Sequence, residues 1–246
     1  MGAVIAMIYA AVVYLAFTAV FIYAICFTDG LLLQSTVDVG AVSSLGQALA
    51  FDVGWFVVFG LQHSAMARAS FKRRWTRWIP PTTERATYVL AATLLVALLV
   101  WQWRPIPTIV WNVPWPAARA VLVAISFGGW GVVFAASWML DHFELFGLRQ
   151  PFDRLRGRAS RPIDFRTPGL YRYVRHPIYL GFLVGFWSAP TMTVGHAVLA
   201  LGMTIYVFIG MHFEERDLVR TFGDPYRDYQ RRVPAVFPFR RGGREL

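Results

Sequence analysis

Cysteine occurs once in 246 residues and lysine once, and each scarcity narrows what the chain can do. With Cys26 alone, no intramolecular disulfide and no thiolate metal cluster can form. Its place inside the first apolar run reads as small hydrophobic filler. Lys72 is the only lysine, so a net charge of +10 is carried almost entirely by arginine. Charge of either sign is sparse, at 15% of residues against 57% hydrophobic, with a mean hydropathy of +0.47. That balance is too apolar for a domain whose surface faces water. No basic segment precedes the first apolar run and no small-x-small cleavage site closes it, so the run is expected to stay attached as a first span rather than act as a signal peptide. Internal repeats and low-complexity stretches are also lacking, and a single domain is expected over residues 1–246, with a four-helix membrane part at 1–140 and a second part at 141–246.

What is present is a series of long apolar runs. A helix needs about 20 apolar residues to cross the hydrocarbon core. Residues 3–27, 45–66, 87–103, 117–140 and 197–213 approach or reach that length, and 178–190 forms a shorter sixth segment joined to the last by a tight hairpin. The fold class predicted is therefore all-α, a polytopic integral membrane protein with about six transmembrane helices. Arginine sets its orientation. Arg68, Lys72, Arg73, Arg74, Arg77 and Arg85 follow the second span, and Arg149, Arg154, Arg156, Arg158, Arg161, Arg166, Arg172 and Arg175 follow the fourth. Eight more arginines follow Phe213. The connection after the first span has Asp29 and Asp38 with no basic residue, and that after the third has Arg104 alone. Both termini are thus expected inside, in the inner membrane of a bacterium. Trp101, Trp103, Trp111 and Trp115 would mark the outer interface, and Trp75 and Trp78 the inner one. Basic residues clustered between apolar runs do not make the folded basic face a nucleic acid requires, so no nucleic-acid partner is expected. The basic tail after Phe239 would meet anionic lipid head groups.

Ionisable groups at membrane depth are costly and point to function. Four groups fall near the inner ends of spans: Gln62–His63–Ser64, Asp141–His142–Phe143–Glu144, the run from Arg175 to Gly181, and Glu214–Glu215. Their common depth is what one inward-facing polar pocket would need. Pro177 is suited to the first position of a helix, whose free amides and dipole would face an anionic ligand group. Gly181, one turn on, would leave room for a close-packed group. Carboxylates suit a ribose diol or an ammonium group, so Glu214 and Glu215 with that helix start suggest a nucleotide-like ligand. Taken singly, Tyr179 also reads as an interfacial cap residue, the glutamates as a solvated helix end paired with Arg216 or Arg220, and each histidine as a structural hydrogen-bonding group.

Arg175-His-Pro-x-Tyr-x-Gly181, the glutamate pair one hairpin later, and Phe222-Gly-x-x-Tyr-x-x-Tyr229 ahead of Val233-Pro234 and Phe237-Pro238 together resemble the isoprenylcysteine carboxyl methyltransferase and phospholipid methyltransferase superfamily. The stretches Gln62-His-Ser-x-Met-Ala-Arg68, Glu84-Arg-x-x-Tyr88 and Asp141–Gln150 resemble its nurim-like branch, with the bacterial methanethiol S-methyltransferases. The resemblance implies a membrane methyltransferase whose C-terminal half binds S-adenosylmethionine through Arg175, His176, Pro177, Tyr179, Gly181, Glu214 and Glu215. It also implies a small thiol acceptor, methanethiol, converted to dimethyl sulfide, with no metal.

Methyl transfer from a sulfonium to a thiolate cancels two charges, so a dry, low-dielectric site favours it. An alkyl thiol with a pKa some two to three units above ambient costs about 3–4 kcal/mol to ionise. His142 and His63 are the candidate bases, Asp141 or Glu144 the groups that would orient the ring, and Arg149 or Arg85 direct stabilisers of the anion. Other readings remain open: a prenylcysteine carboxylate or a phospholipid amine as acceptor, a haem or quinone protein with His63 and His142 as ligands, or a transporter. The last lacks the inverted repeat and midplane charge expected of it.

Overall fold

A computed structural model describes residues 2–41, 43–158 and 164–238. Arg161 and the basic tail from residue 239 lie outside the described residues. Among the described residues, five helices are long and apolar enough to cross a membrane: α1 (Gly2–Asp29), α2 (Leu45–Ala67), α4 (Pro81–Gln102), α5 (Pro116–Leu140) and α9 (Val194–Phe222). The shorter apolar α8 spans Pro177–Trp187. Short helices α3 (Ala69–Trp75), α6 (His142–Leu145), α7 (Arg149–Leu155) and α10 (Asp224–Arg232) complete the helices of the described residues, with a 3-10 turn at Gly169–Arg172. Proline stands at the first position of α4, α5 and α8, where a missing N–H costs nothing. Ser44 caps α2, its hydroxyl accepting from the Gln47 amide at 3.4 Å. The chain is a multi-pass integral membrane protein, and rows such as Ile5, Ile8, Val12 and Leu15 on α1 are exposed as a lipid-facing stripe.

Two differences from the sequence expectation matter for the site. Helix α9 does not stop at Phe213 but continues to Phe222, so Glu214 and Glu215 lie within a helix rather than at its end. Its polar extension satisfies its backbone internally and adds an Arg220–Asp217 pair at 3.3 Å. The chain also makes two strands, β1 (Ile109–Asn112) between the apolar segments 87–103 and 117–140 and β2 (Thr191–Thr193) between 178–190 and 197–213, which pair antiparallel. Neither is long enough to show the alternation by which strands are read.

The chain packs into two compact units. The first comprises Met1–Asn112, His142–Pro162 and Thr191–Gly202. Here α1 and α4 pack together, with α2 on α4 and α7 against both α1 and α4. Ala10 and Ala86 are fully buried beside Leu148, small residues that let helix backbones approach. The turn between α6 and α7 rests directly on α4: Gly147 has φ +83°, and a Cβ there would lie 2.5 Å from the Ala86 nitrogen, so only glycine fits. A second layer of contacts ties the interhelical loops. Thr193 donates to Asp38 Oδ1 at 2.5 Å, Asp52 Oδ1 accepts from the Arg104 amide at 3.0 Å, and Trp103 Nε1 donates to the Val37 carbonyl at 3.1 Å. Trp103, expected at a lipid interface, is therefore buried, while Trp101 and Trp115 are exposed.

The second unit comprises Val113–Asp141, Ile163–Pro190 and Met203–Leu246. Its main contact is α5 against α8. A Cβ on Gly181 would lie 2.6 Å from the Gly129 carbonyl oxygen, and one on Gly185 would lie 2.8 Å from the Trp130 ring. Gly181 and Gly185 form a small-x-x-x-small seam against α5, and van der Waals contact between backbones replaces the hydrophobic drive that lipid does not supply. Leu183 of α8 packs with Val207 and Met211 of α9 and with Val236. At 11 residues and about 1.5 Å per residue, α8 covers only about 16 Å, half a hydrocarbon core.

Candidate active site

Each unit holds a cluster of the polar residues expected at the site. In the second unit the start of α8 and the middle of α9 bring together Arg175, His176, Tyr179, Glu214 and Glu215. Glu215 is the hub. Its Oε1 receives Arg175 Nε at 2.7 Å and Nη2 at 2.6 Å, and His176 Nε2 lies 3.1 Å from the same oxygen. Its Oε2 receives Gln230 Nε2 at 3.0 Å. A carboxylate with this many donors is held as an anion and has little capacity left for a ligand. Glu214 differs. Tyr179 donates to its Oε2 at 2.7 Å and His176 Nδ1 stands 3.8 Å away, but its side chain is 46% exposed against 20% for Glu215. Adjacent in sequence, the two glutamates are thus one an internal anchor and the other an open acceptor.

Arg175 extends the network to the C-terminal segment. Its Nη1 donates to the carbonyls of Gln230, at 3.1 Å, and Val233. Its amide donates to the Pro234 carbonyl at 2.9 Å, and the His176 amide to that of Ala235 at 2.9 Å. Residues 233–236 thus lie as a strap along the entry to α8. The His176 and Tyr179 rings stack at 5.3 Å. Tyr171, Tyr226 and Tyr229 pack nearby, Tyr229 donating to the Tyr171 carbonyl at 2.5 Å. Burial pushes the Tyr229 hydroxyl up to about 12 against the pull of Arg175. Burial raises Tyr171 and Tyr226 as well, aided by the charge of Glu214 on the first and of Glu215 on the second. Beside the hub a depression of about 330 Å³ is lined by His212, Glu215, Arg216, Val219, Arg220 and Gln230, a volume at the small end of ligand sites.

Two of the expected residues have a different setting. Pro177 begins α8 and is fully buried. Gly181 faces α5, where the missing Cβ is filled by the Gly129 backbone, so its smallness serves helix packing.

The first unit holds the other cluster. His142 heads α6 and is 5% exposed. Its Nε2 lies 2.8 Å from the Tyr14 hydroxyl of α1. His63 of α2 lies 2.5 Å from the Tyr88 hydroxyl of α4. The Arg85 guanidinium sits 5.1 Å from the Tyr88 ring centroid while its Nε donates to the Leu145 carbonyl at 2.8 Å. Glu144 is exposed on α6 and Arg149 starts α7, half-buried, while Asp141, the last residue of its segment of the second unit, closes α5 in extended conformation. Tyr14 and Gln230 carried no signal in the sequence reading as site residues, and Tyr88 entered only as the end of the Glu84–Tyr88 motif, without a role. Tyr14 in particular lies in an uninterrupted apolar run where an isolated tyrosine reads as filler.

Residues 119–225 match the phospholipid methyltransferase family, and with named methyltransferases among its relatives the class of protein is a membrane methyltransferase. Over most of its length the chain is similar to named enzymes. It is 47% identical over 237 residues to methanethiol S-methyltransferase 1 of Bradyrhizobium diazoefficiens, covering 96% of this chain and 83% of that one. It is also 47% identical over 232 residues to the methanethiol S-methyltransferase of Mycobacterium tuberculosis, covering 94% and 95%. More distantly, it is 29% identical over 178 residues to nurim of Xenopus laevis, covering 69% and 62%. The chain belongs to the methanethiol S-methyltransferase family. No solved structure matches it.

Proposed function

We propose that this enzyme transfers a methyl group from S-adenosylmethionine to methanethiol, giving dimethyl sulfide, in a bacterial inner membrane with both termini in the cytoplasm. The observation that carries the reading is the cluster of His176, Tyr179, Glu214 and Glu215 at the start of α8, in a chain of this family. The donor set fits the ligand. An exposed carboxylate beside a tyrosine hydroxyl accepts from a diol or an ammonium group, both of which S-adenosylmethionine offers, and it balances a sulfonium's charge. When bound, that molecule supplies the activated methyl group. Glu214 contacts it; Arg175, His176, Gln230 and Glu215 hold Glu214's helix and the strap in register; Tyr179 orients the Glu214 carboxylate.

For the acceptor, His142 takes the thiol proton, with His63, Asp141, Glu144 and Arg149 as the further groups whose loss is expected to slow the reaction. General-base assistance is worth about 10²–10⁴ in rate. Membranes containing the protein, supplied with S-adenosylmethionine and methanethiol, are expected to release dimethyl sulfide into the headspace, measured by gas chromatography. Silence there, with turnover of a prenylcysteine or a phospholipid amine, would move the acceptor to those lipids.

A further inference from the structure

Beyond its apolar span, one face of α9 becomes basic. His212, Glu215, Arg216, Val219 and Arg220 recur at i, i+3, i+4, i+7 and i+8, a single stripe on a helix of about 3.6 residues per turn. Arg227, Gln230 and Arg231 make the matching stripe on α10. Between the stripes runs a groove, formed by a depression of about 590 Å³ and the depression of about 330 Å³ beside Glu215, which share Val219 and Gln230 as walls. Four arginines line it against one carboxylate, and that carboxylate, Glu215, already has Arg175 as its counter-ion. Arg220, Arg227 and Arg231 also face Asp217, Asp224 and Asp228, each three residues earlier on its own helix. Both partners of every such pair are at least half exposed, so the pairs hold weakly and their guanidinium groups can turn to a stronger acceptor. A phosphate is such an acceptor, because it meets the guanidinium fork with two parallel hydrogen bonds.

The groove lies at a defined depth. Apolar character in α9 ends at Phe213, and Arg216 to Arg220 stand three to seven residues further on, about 5–10 Å along the axis. The head-group layer outside the hydrocarbon is about 5–8 Å thick on each side. The arginines of α9 are therefore level with lipid phosphates, whose acyl chains hold them at that depth, whereas a soluble phosphate has no such anchor.

We propose that the α9–α10 groove binds the phosphate of an anionic phospholipid head group, and that its occupancy supports the methyl-donor cluster. Glu214, the open acceptor of that cluster, is one position off the stripe and is not a wall of the groove, so lipid and methyl donor take different faces of α9. Gln230 connects the two: it walls the groove and donates to Glu215 Oε2 at 3.0 Å. A phosphate drawing Arg216 and Arg227 together clamps α10 to α9 and keeps that bond, with the Arg175 network behind it, in place. The effect on the methyl donor rests on the assignment argued above; lipid binding does not.

The test uses the full-length protein in dodecyl maltoside, titrated by calorimetry with dioctanoyl phosphatidylglycerol, dioctanoyl phosphatidylcholine and inorganic phosphate. Phosphatidylglycerol is expected to bind about tenfold more tightly than either of the others. Removing one arginine from an anionic contact at a membrane surface weakens it about fivefold, so Arg216→Gln with Arg227→Gln is expected to weaken phosphatidylglycerol about thirtyfold. Arg73→Gln with Arg74→Gln, which removes two exposed arginines from α3, is expected to leave it unchanged. Equal binding of phosphatidylcholine, equal binding of inorganic phosphate, or equal weakening by the two double variants overturns the groove as a lipid site. The comparison among ligands on the parent protein decides the matter even where a variant folds poorly. In the parent, saturating phosphatidylglycerol is expected to tighten S-adenosylmethionine about fivefold. An unchanged affinity removes the coupling and leaves the lipid site, whereas no S-adenosylmethionine binding at all, with lipid binding intact, removes the methyl-donor assignment and the coupling with it.

Discussion

Substituting the two glutamates separately should have opposite consequences. Glu215 receives donors from Arg175, His176 and Gln230, and the Arg175 side chain is 11% exposed. Glu215→Gln keeps the shape but removes the charge, leaving a guanidinium among carbonyls with no counter-ion. Breaking a buried pair from one side costs about 3–5 kcal/mol, and the partial exposure of Glu215 brings the expectation to about 2–3 kcal/mol. Glu214 is 46% exposed, so its pairing adds less than about 1 kcal/mol to the fold. Yet a hydrogen bond from a ligand to that charged group is worth about 1.5–3 kcal/mol, roughly ten- to a hundredfold in Kd. Glu214→Gln should therefore melt like the parent, followed by helical circular dichroism in detergent, and bind S-adenosylmethionine ten- to a hundredfold more weakly by calorimetric titration. Glu215→Gln should melt earlier. Equal melting of Glu215→Gln and the parent, or unchanged affinity in Glu214→Gln, would refute this division of labour.

Other substitutions probe the scaffold. Gly129→Ala would set a Cβ 2.7 Å from the Gly185 nitrogen and 2.8 Å from the Gly181 oxygen. It should cost about 1–3 kcal/mol and displace α8 enough to weaken methyl-donor binding, although Gly129 itself is remote in sequence from every residue of the donor cluster, as a paired melt and titration would show. Alkaline pH should destabilise the fold. Tyr229 is raised to about 12 from 10, so the stabilisation is complete below the unfolded value and is lost as pH rises from about 10 to about 12; melting temperature against pH, compared with Tyr229→Phe, reads it. With Cys26 replaced by alanine, a cysteine introduced at Ser35 should react with an impermeant maleimide in intact cells, and one at Arg74 only after permeabilisation. The reverse pattern would invert the membrane orientation.

The spans were legible because twenty apolar residues in a row admit few other structures. Their ends were less so. The apolar signal ends at Phe213, but α9 continues because nothing between Glu214 and Phe222 breaks a helix. The Gly181–Gly185 seam was readable as spacing, yet its partner Gly129 lies some 50 residues upstream, and only the fold shows which surface fills the gap. At the site, residue types were visible but not their division: sequence gives no ground for making Glu215 the hub and Glu214 the open acceptor. That distinction depends on Arg175 and Gln230, which reach the same carboxylate from the start of α8 and from α10. Tyr14 was hidden for the opposite reason, as its meaning lies wholly in a partner far along the chain.

The strap over the α8 entry has a consequence for biosynthesis. A polypeptide emerges N-terminus first, so every long helix is already made before residues 233–236 exist to receive the amides of Arg175 and His176. Insertion into the bilayer and acquisition of the donor pocket are therefore separate events. A product cut short after α9 would settle in the membrane as a chemically silent bundle, and donor affinity would serve as a proofreading signal for synthesis carried through the strap.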